Sequence, residues 1–314
     1  METYQAPVIR HFPQLKRYEP VIEDSSAMMT YKTCPRLYLL RIILGFVPKE
    51  NPPYFAFGTA YHKFREVLEI THKAGGDDTE AMKAAMIAGL HSYQKSGVVV
   101  KIGTRFDFLT PERLLQSFKV TWDWWRKEKE DKRLIVVETE QPIMTQGPDG
   151  KWVAGRADQM VRWNGEPWGR DFKTSSKMGD FYKRTLEPND QFTRYTYIES
   201  VLNGAEVDLS NKKGIIKGQL VEVLYNTKNE GPKIIPFQTT RTLEQLQEWM
   251  KDRMFWAEMI DKSRLTDNYP MNEKSCAFCK MHSVCTKTSE SAQLYELKSH
   301  FKIEPWDCTL DTDE

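Results

Sequence analysis

A chain of 314 residues with 40% hydrophobic content can bury a full core, as one elaborated domain or two small ones. Lys and Arg number 45 against 44 Asp and Glu, a net charge of +1, so no global field draws the protein to nucleic acid and any such binding must come from local basic patches. No apolar run reaches the ~18 residues of a membrane span, and Met1 to Arg10 lacks a secretory core, so an intracellular, cytoplasmic chain is expected; its five cysteines then favour metal or catalytic roles over disulfides.

Residues 1–24 carry prolines and read as an arm. Ser25 or Ser26 caps a helix that runs into Cys34-Pro35 and the apolar stretch Leu37 to Leu44. Pro52-Pro53 breaks the chain, and beyond it Gly58, His62 and Glu66 share one helix face. Two further helices, Thr79 to Gln94 and Pro111 to Lys132, form a helical insertion over about residues 73–132. Strands follow at Leu134 to Ile143, Lys151 to Trp163 and Glu166 to Thr174, the last two joined at Asn164-Gly165, a strong two-residue hairpin signal. Asp190 to Asn203 is helical, Ile215 to Asn226 and Pro232 to Thr239 are strands, and Thr242 to Asp261 is a long helix. A cysteine-rich segment and an acidic tail over 301–314 close the chain. This order predicts an α/β fold, a central mixed sheet flanked by helices, in a single domain over 25–300.

The hairpin allows side chains to be placed by counting. If Asn164-Gly165 is the turn, Trp163 faces Glu166 and Asp158 lies opposite Asp171, with Cβ atoms about 4.5–5.5 Å apart. Such a pair of like charges must share a proton, meet a cation or bind a metal, and oxygen ligands suit Mg²⁺ or Mn²⁺. Lys173 falls on the same strand face as Asp171. Pro167 removes a ladder donor and threatens the register with a bulge. Solvated charges on an exposed hairpin are the plainer reading.

Gly155-Arg156-Ala157-Asp158 followed by Asp171-Phe172-Lys173 resembles the core of the PD-(D/E)XK nucleases, in particular the RecB-like branch. That branch also carries an upstream Gly-x-x-x-His helix, matched by Gly58 to His62, and a downstream Gln-x-x-x-Tyr helix, matched by Gln191 to Tyr195. The resemblance implies a restriction-endonuclease-like core in which His62, Asp158, Asp171 and the Phe172 carbonyl bind the metal. Lys173 is then catalytic, and Gln191 and Tyr195 position DNA or the lysine. Glu66 is a candidate partner for His62. Aspartate stands at Asp171, where glutamate is commoner.

Cys276, Cys279 and Cys285 form C-x2-C-x5-C, and three clustered thiols suggest a metal. Cys34 is a candidate fourth ligand. This division resembles the iron–sulfur nucleases of the AddB type and of CRISPR adaptation, which implies a [4Fe–4S] cluster clasping the N- and C-terminal segments. Structural zinc with His282 is the rival. Cys308 stands outside the pattern.

Four basic patches are candidates for phosphate contact: Lys177 with Lys183 and Arg184, Lys212 with Lys213 and Lys217, Arg126 with Lys127 and Lys129, and Arg36 with Arg41. Trp122, Trp124 and Trp125 are either core or a base-stacking surface. By analogy with the clasped relatives, the expected activity is a DNA exonuclease acting on single-stranded ends in recombination or repair, with a helicase or recombination partner. The alternatives are a DNA endonuclease of the same fold, a non-catalytic DNA-binding subunit and a zinc-clasped interaction module. Oligomeric state is left open.

Overall fold

The computed structural model describes residues 12–18, 22 and 24–307, apart from the side chains of 140, 141 and 181. Most of the predicted arm, Cys308 and the acidic residues after it lie outside these. In chain order the elements are α1 (Ser25–Thr33), α2 (Pro35–Tyr38), β1 (Phe46–Pro48), α3 (Pro53–Lys73), α4 (Asp78–Lys95), α5 (Pro111–Glu130), β2 (Leu134–Gln146), β3 (Trp152–Trp163) and β4 (Glu166–Ser175). After them come α6 (Asp180–Arg184), α7 (Asp190–Leu202), β5 (Gly218–Tyr225), β6 (Lys233–Thr240), α8 (Leu243–Thr266), α9 (His282–Cys285), α10 (Glu290–His300) and β7 (Phe301–Ile303). No helix among the described residues is long and apolar enough to cross a membrane.

The chain divides into two compact units. One takes in the described residues up to Lys49, Gln146–Ala154 and the described residues from Gln247 to Asp307. Its core packs Met28, Tyr31 and Tyr38 with Ile260, Tyr269 and Val284. Asp24, not Ser25, caps α1 by accepting from the Ala27 N–H at 2.9 Å. Strand β1 pairs antiparallel with β7, so Phe301–Ile303, predicted as tail, is structured.

The second unit contains Glu50–Thr145 and Gly155–Leu246. Its sheet runs β2-β3-β4-β5-β6, with β3/β4 and β5/β6 antiparallel and β4/β5 parallel. This is the expected α/β architecture with a mixed sheet flanked by helices. A parallel neighbour needs a crossover, and α6 and α7 supply it between β4 and β5. Asn164 and Gly165 both adopt positive φ, 52° and 81°, as a tight hairpin turn requires. The register then runs from Trp163↔Glu166 to Gln159↔Arg170 and passes through Arg162↔Pro167 without slipping. On one side of β4, Phe172 joins a core built from Phe57, Phe64 and Leu68 of α3 and Phe118 of α5. On the other, Val221 and Val223, the β5 partners of Asp171 and Lys173, pack with Leu186 and Phe192.

Candidate active site

Strand alternation puts Asp171 and Lys173 on the α7 side of β4, while Arg170 and Phe172 point the other way. The β3–β4 ladder stops at Gln159↔Arg170, one step short of the predicted Asp158–Asp171 pair. At that step a side chain replaces the backbone: Asp158 Oδ2 accepts from the Phe172 N–H at 2.5 Å. The two carboxylates remain close enough that Asp158 raises the Asp171 carboxyl.

Asp171 is fully buried, and neither of its oxygens accepts a hydrogen bond. Lys173 Nζ lies 2.5 Å from Oδ2, an ion pair whose angle falls outside hydrogen-bond geometry. Burial pushes the Asp171 carboxyl up to about 6, Lys173 pulls against it, and Asp158 adds to the rise. Asp158 moves the other way. Burial raises it too, but His62, Lys173 and the Phe172 N–H together hold it below its ordinary value. His62 reaches in from α3, with Nδ1 3.5 Å from Asp158 Oδ1. His62, Asp158, Asp171 and Lys173 are thus neighbours. Glu66, one turn beyond His62, forms an ion pair with Lys63 at 2.9 Å.

From α7, Gln191 Nε2 donates to Tyr195 Oη at 3.0 Å. Tyr195 lies flat against Gly155 of β3: a Cβ there would sit 2.9 Å from the ring Cδ1 and nearer still to Cε1. The glycine that opens the Gly155-Arg156-Ala157-Asp158 motif is the space that lets this ring seat against β3.

Behind Phe172 lies an arrangement with little local signature. Arg65, completely buried on α3, sets its guanidinium 4.2 Å above the Phe172 ring, and the Arg170 guanidinium stands 5.1 Å from the same ring. Arg170 donates to Glu128 at 2.5 and 2.7 Å and to Glu222 at 2.5 Å. Arg65 lies 3.6 Å from Glu222, and the Tyr61 hydroxyl donates to Glu222 at 3.2 Å. The signal that could have revealed this network is Glu222, a lone charge inside the apolar strand Leu220 to Leu224. Trp125 is also internal, donating to Glu69 at 2.8 Å, so it is core rather than a base-stacking surface. A cleft of 670 Å³ opens between Trp124, Trp163, Leu220 and Pro236. None of the candidate catalytic side chains lines it.

Residues 25–286 match the model of the PD-(D/E)XK nuclease superfamily. The chain belongs to that superfamily. No curated protein matches the sequence. A crystal structure of SSO0001 is 12% identical over 83% of this chain and 95% of that one, with a TM-score of 0.29, a superposition too loose to carry residue roles across.

Within this PD-(D/E)XK chain the four predicted cysteines fall in the first unit, all as free thiols. Cys34 is buried, and its sulfur accepts from the Asn272 N–H at 3.3 Å. Burial pushes the Cys285 thiol up to about 11 against the pull of Arg36, and Cys279, Cys34 and Cys276 each push it further up, so the four sit within electrostatic range. Arg36, predicted as a phosphate contact, also donates to the Tyr269 carbonyl at 3.1 Å. Among the described residues, no group of three or more His, Cys, Asp or Glu side chains is arranged to hold a metal ion. In the nuclease unit the reason is visible: the Asp158 oxygens face His62 and the Phe172 N–H, and Asp171 faces Lys173. The donor chemistry nevertheless suits a hard divalent cation, because Asp171 presents two buried oxygens that accept no hydrogen bond.

Proposed function

We propose that this superfamily member is an Mg²⁺- or Mn²⁺-dependent deoxyribonuclease, and specifically an exonuclease acting on single-stranded ends in recombination, repair or end processing. The observation that carries the reading is Asp171. Two neighbouring carboxylates, one of them fully buried, have a single lysine between them to offset their charge, which favours a further cation at the site. Asp158, Asp171, His62 and the Phe172 carbonyl are the residues that would hold the metal. Bound there, the cation supplies Lewis acidity and a more acidic water.

The chain's own side chains do the rest. Lys173 offsets the charge that develops on the phosphate and orients the attacking water. Gln191 and Tyr195, linked at 3.0 Å, form a polar edge that positions the strand or the lysine. Gly155 keeps Tyr195 seated. Cys34, Cys276, Cys279 and Cys285 would hold a [4Fe–4S] cluster that ties the two chain ends within their unit, and zinc is the competing occupant.

The test is a cleavage assay on end-labelled linear and circular DNA with Mg²⁺, Mn²⁺ or EDTA. Progressive shortening of linear single strands, with circles untouched, is the expected result. Cut circles would make the enzyme an endonuclease, and inertness in both metals would remove the activity. Iron and acid-labile sulfide analysis of anaerobically purified protein tests the cluster, and stoichiometric zinc without iron would replace it.

A further inference from the structure

The first turns of α3 expose two large rings, Tyr54 at 44% and Phe55 at 56%. Phe55, Thr59, His62 and Glu66 are spaced four, three and four residues apart, which places them on one helix face. Phe55 therefore stands on the same side as His62, about 10 Å along the axis, a distance of about three stacked nucleotides. The start of α3 also lies beside the end of the active-site strand: a Cβ on Gly58 would meet Thr174 Oγ1 at 3.5 Å.

The loop between α4 and α5 extends this surface. Phe106 packs on Tyr54 with ring centroids 5.1 Å apart, and the Arg105 guanidinium sits 5.3 Å from the Phe106 ring. Lys101 is exposed in the same loop, and Ile102 is 97% exposed. The loop's one carboxylate, Asp107, is taken up by Lys228 at 2.7 Å and by the Gly103 N–H at 3.2 Å. Arg105 and Lys101 therefore set the charge offered outward. Tyr54, Phe55 and Ile102 leave apolar side chains in solvent beside these cations. Rings interleaved with cations fit a partner with flat π faces and a phosphate backbone.

We infer that Tyr54, Phe55, Phe106 and Arg105 form a binding platform for single-stranded DNA that leads to His62, with bases stacking on the rings and Arg105 and Lys101 meeting phosphates. This deepens the nuclease reading and rests on it. A base-paired duplex hides its π faces, so the platform selects unpaired strands.

The experiment measures anisotropy of fluorescein-labelled oligo(dT), and of a duplex of equal length, with the full chain in EDTA, where cleavage is absent. Phe55→Ala and Tyr54→Ala should each weaken oligo(dT) binding by about five-fold to about 100-fold, the span of one lost stacking contact. Phe55→Trp should restore it, duplex affinity should change less, and Arg105→Glu should flatten the salt dependence. Circular dichroism melts identify variants that fold. Unchanged oligo(dT) affinity in folded Phe55→Ala and Tyr54→Ala overturns the platform, as does an equal loss for duplex. Lys173→Ala, run alongside, should bind oligo(dT) like the wild type and fail to cut it. If it still cuts, the chemistry assigned to the site fails while the platform stands or falls on the binding data.

Discussion

Glu199 offers a quantitative test of how tightly the sheet and α7 enclose their polar groups. It is 1% exposed on α7, and its Oε2 accepts from Gln219 Nε2 at 2.8 Å, while Oε1 has no hydrogen-bond partner. Burial raises its carboxyl from 4.5 to about 8, with the Gln219 hydrogen bond opposing and the charge of Asp171 adding to the rise. The folded state therefore keeps a proton that the unfolded chain releases. Stability from this group is whole below about 4.5, falls as pH rises through the window, and is gone above about 8. A gap of that size corresponds to on the order of 5 kcal/mol at most. Glu199→Gln mimics the protonated acid and keeps the contact with Gln219, so it removes this loss. At pH 5 the two proteins should melt together. At pH 8.5 the variant should be more stable by up to roughly 10 °C in Tm. Thermal melts of both proteins across this range make the comparison, and titrating groups not coupled to Glu199 cancel in the difference. Parallel Tm–pH curves would refute the buried-carboxyl argument.

Four further outcomes are expected. Lys173→Ala should abolish cleavage in Mg²⁺ and Mn²⁺ while the thermal melt stays near wild type, as read by single-turnover assays; retained cleavage removes the lysine from the mechanism. Gly155→Ala drives a methyl into Tyr195 and should cost about 1–3 kcal/mol in urea unfolding, together with activity; a neutral result means the ring has room to move. Glu222→Gln strips Arg170 and Arg65 of a buried partner and should destabilise by about 3–5 kcal/mol in the same assay. Cys279→Ser should lower both Tm and bound iron, and a normal melt with full iron content would exclude this thiol from the cluster.

Much of the nuclease unit was readable before any coordinates. Asn164-Gly165 announces its own turn chemistry, and a two-residue turn leaves one register for the strands on either side. From there Asp171 and Lys173 follow by alternation. Asp158 was found by the same count, although its side chain takes over from the backbone where the ladder ends. Other features depend on partners distant in sequence and carry no local signal. The parallel pairing of β4 with β5 is one. The ion network behind Phe172 is another in all but Glu222, because Arg65, Glu128 and Arg170 come from three further elements and each alone reads as a surface charge. Helix spacing brings both His62 and Lys63 within reach of Glu66, and its ion pair with the lysine is the contact that spacing alone could not single out. Phe301–Ile303 was hidden by the acidic composition around it.

The parallel pairing of β4 with β5 also sets an order of events during synthesis. The hairpin carrying Asp158, Asp171 and Lys173 leaves the ribosome first. The strand that flanks it on the far side follows only after α6 and α7 have been made. Until Val221 and Val223 arrive beside Asp171 and Lys173, the β5 side of the strand carrying them stays open to water. The full burial of Asp171 therefore comes only with long-range closure of the sheet.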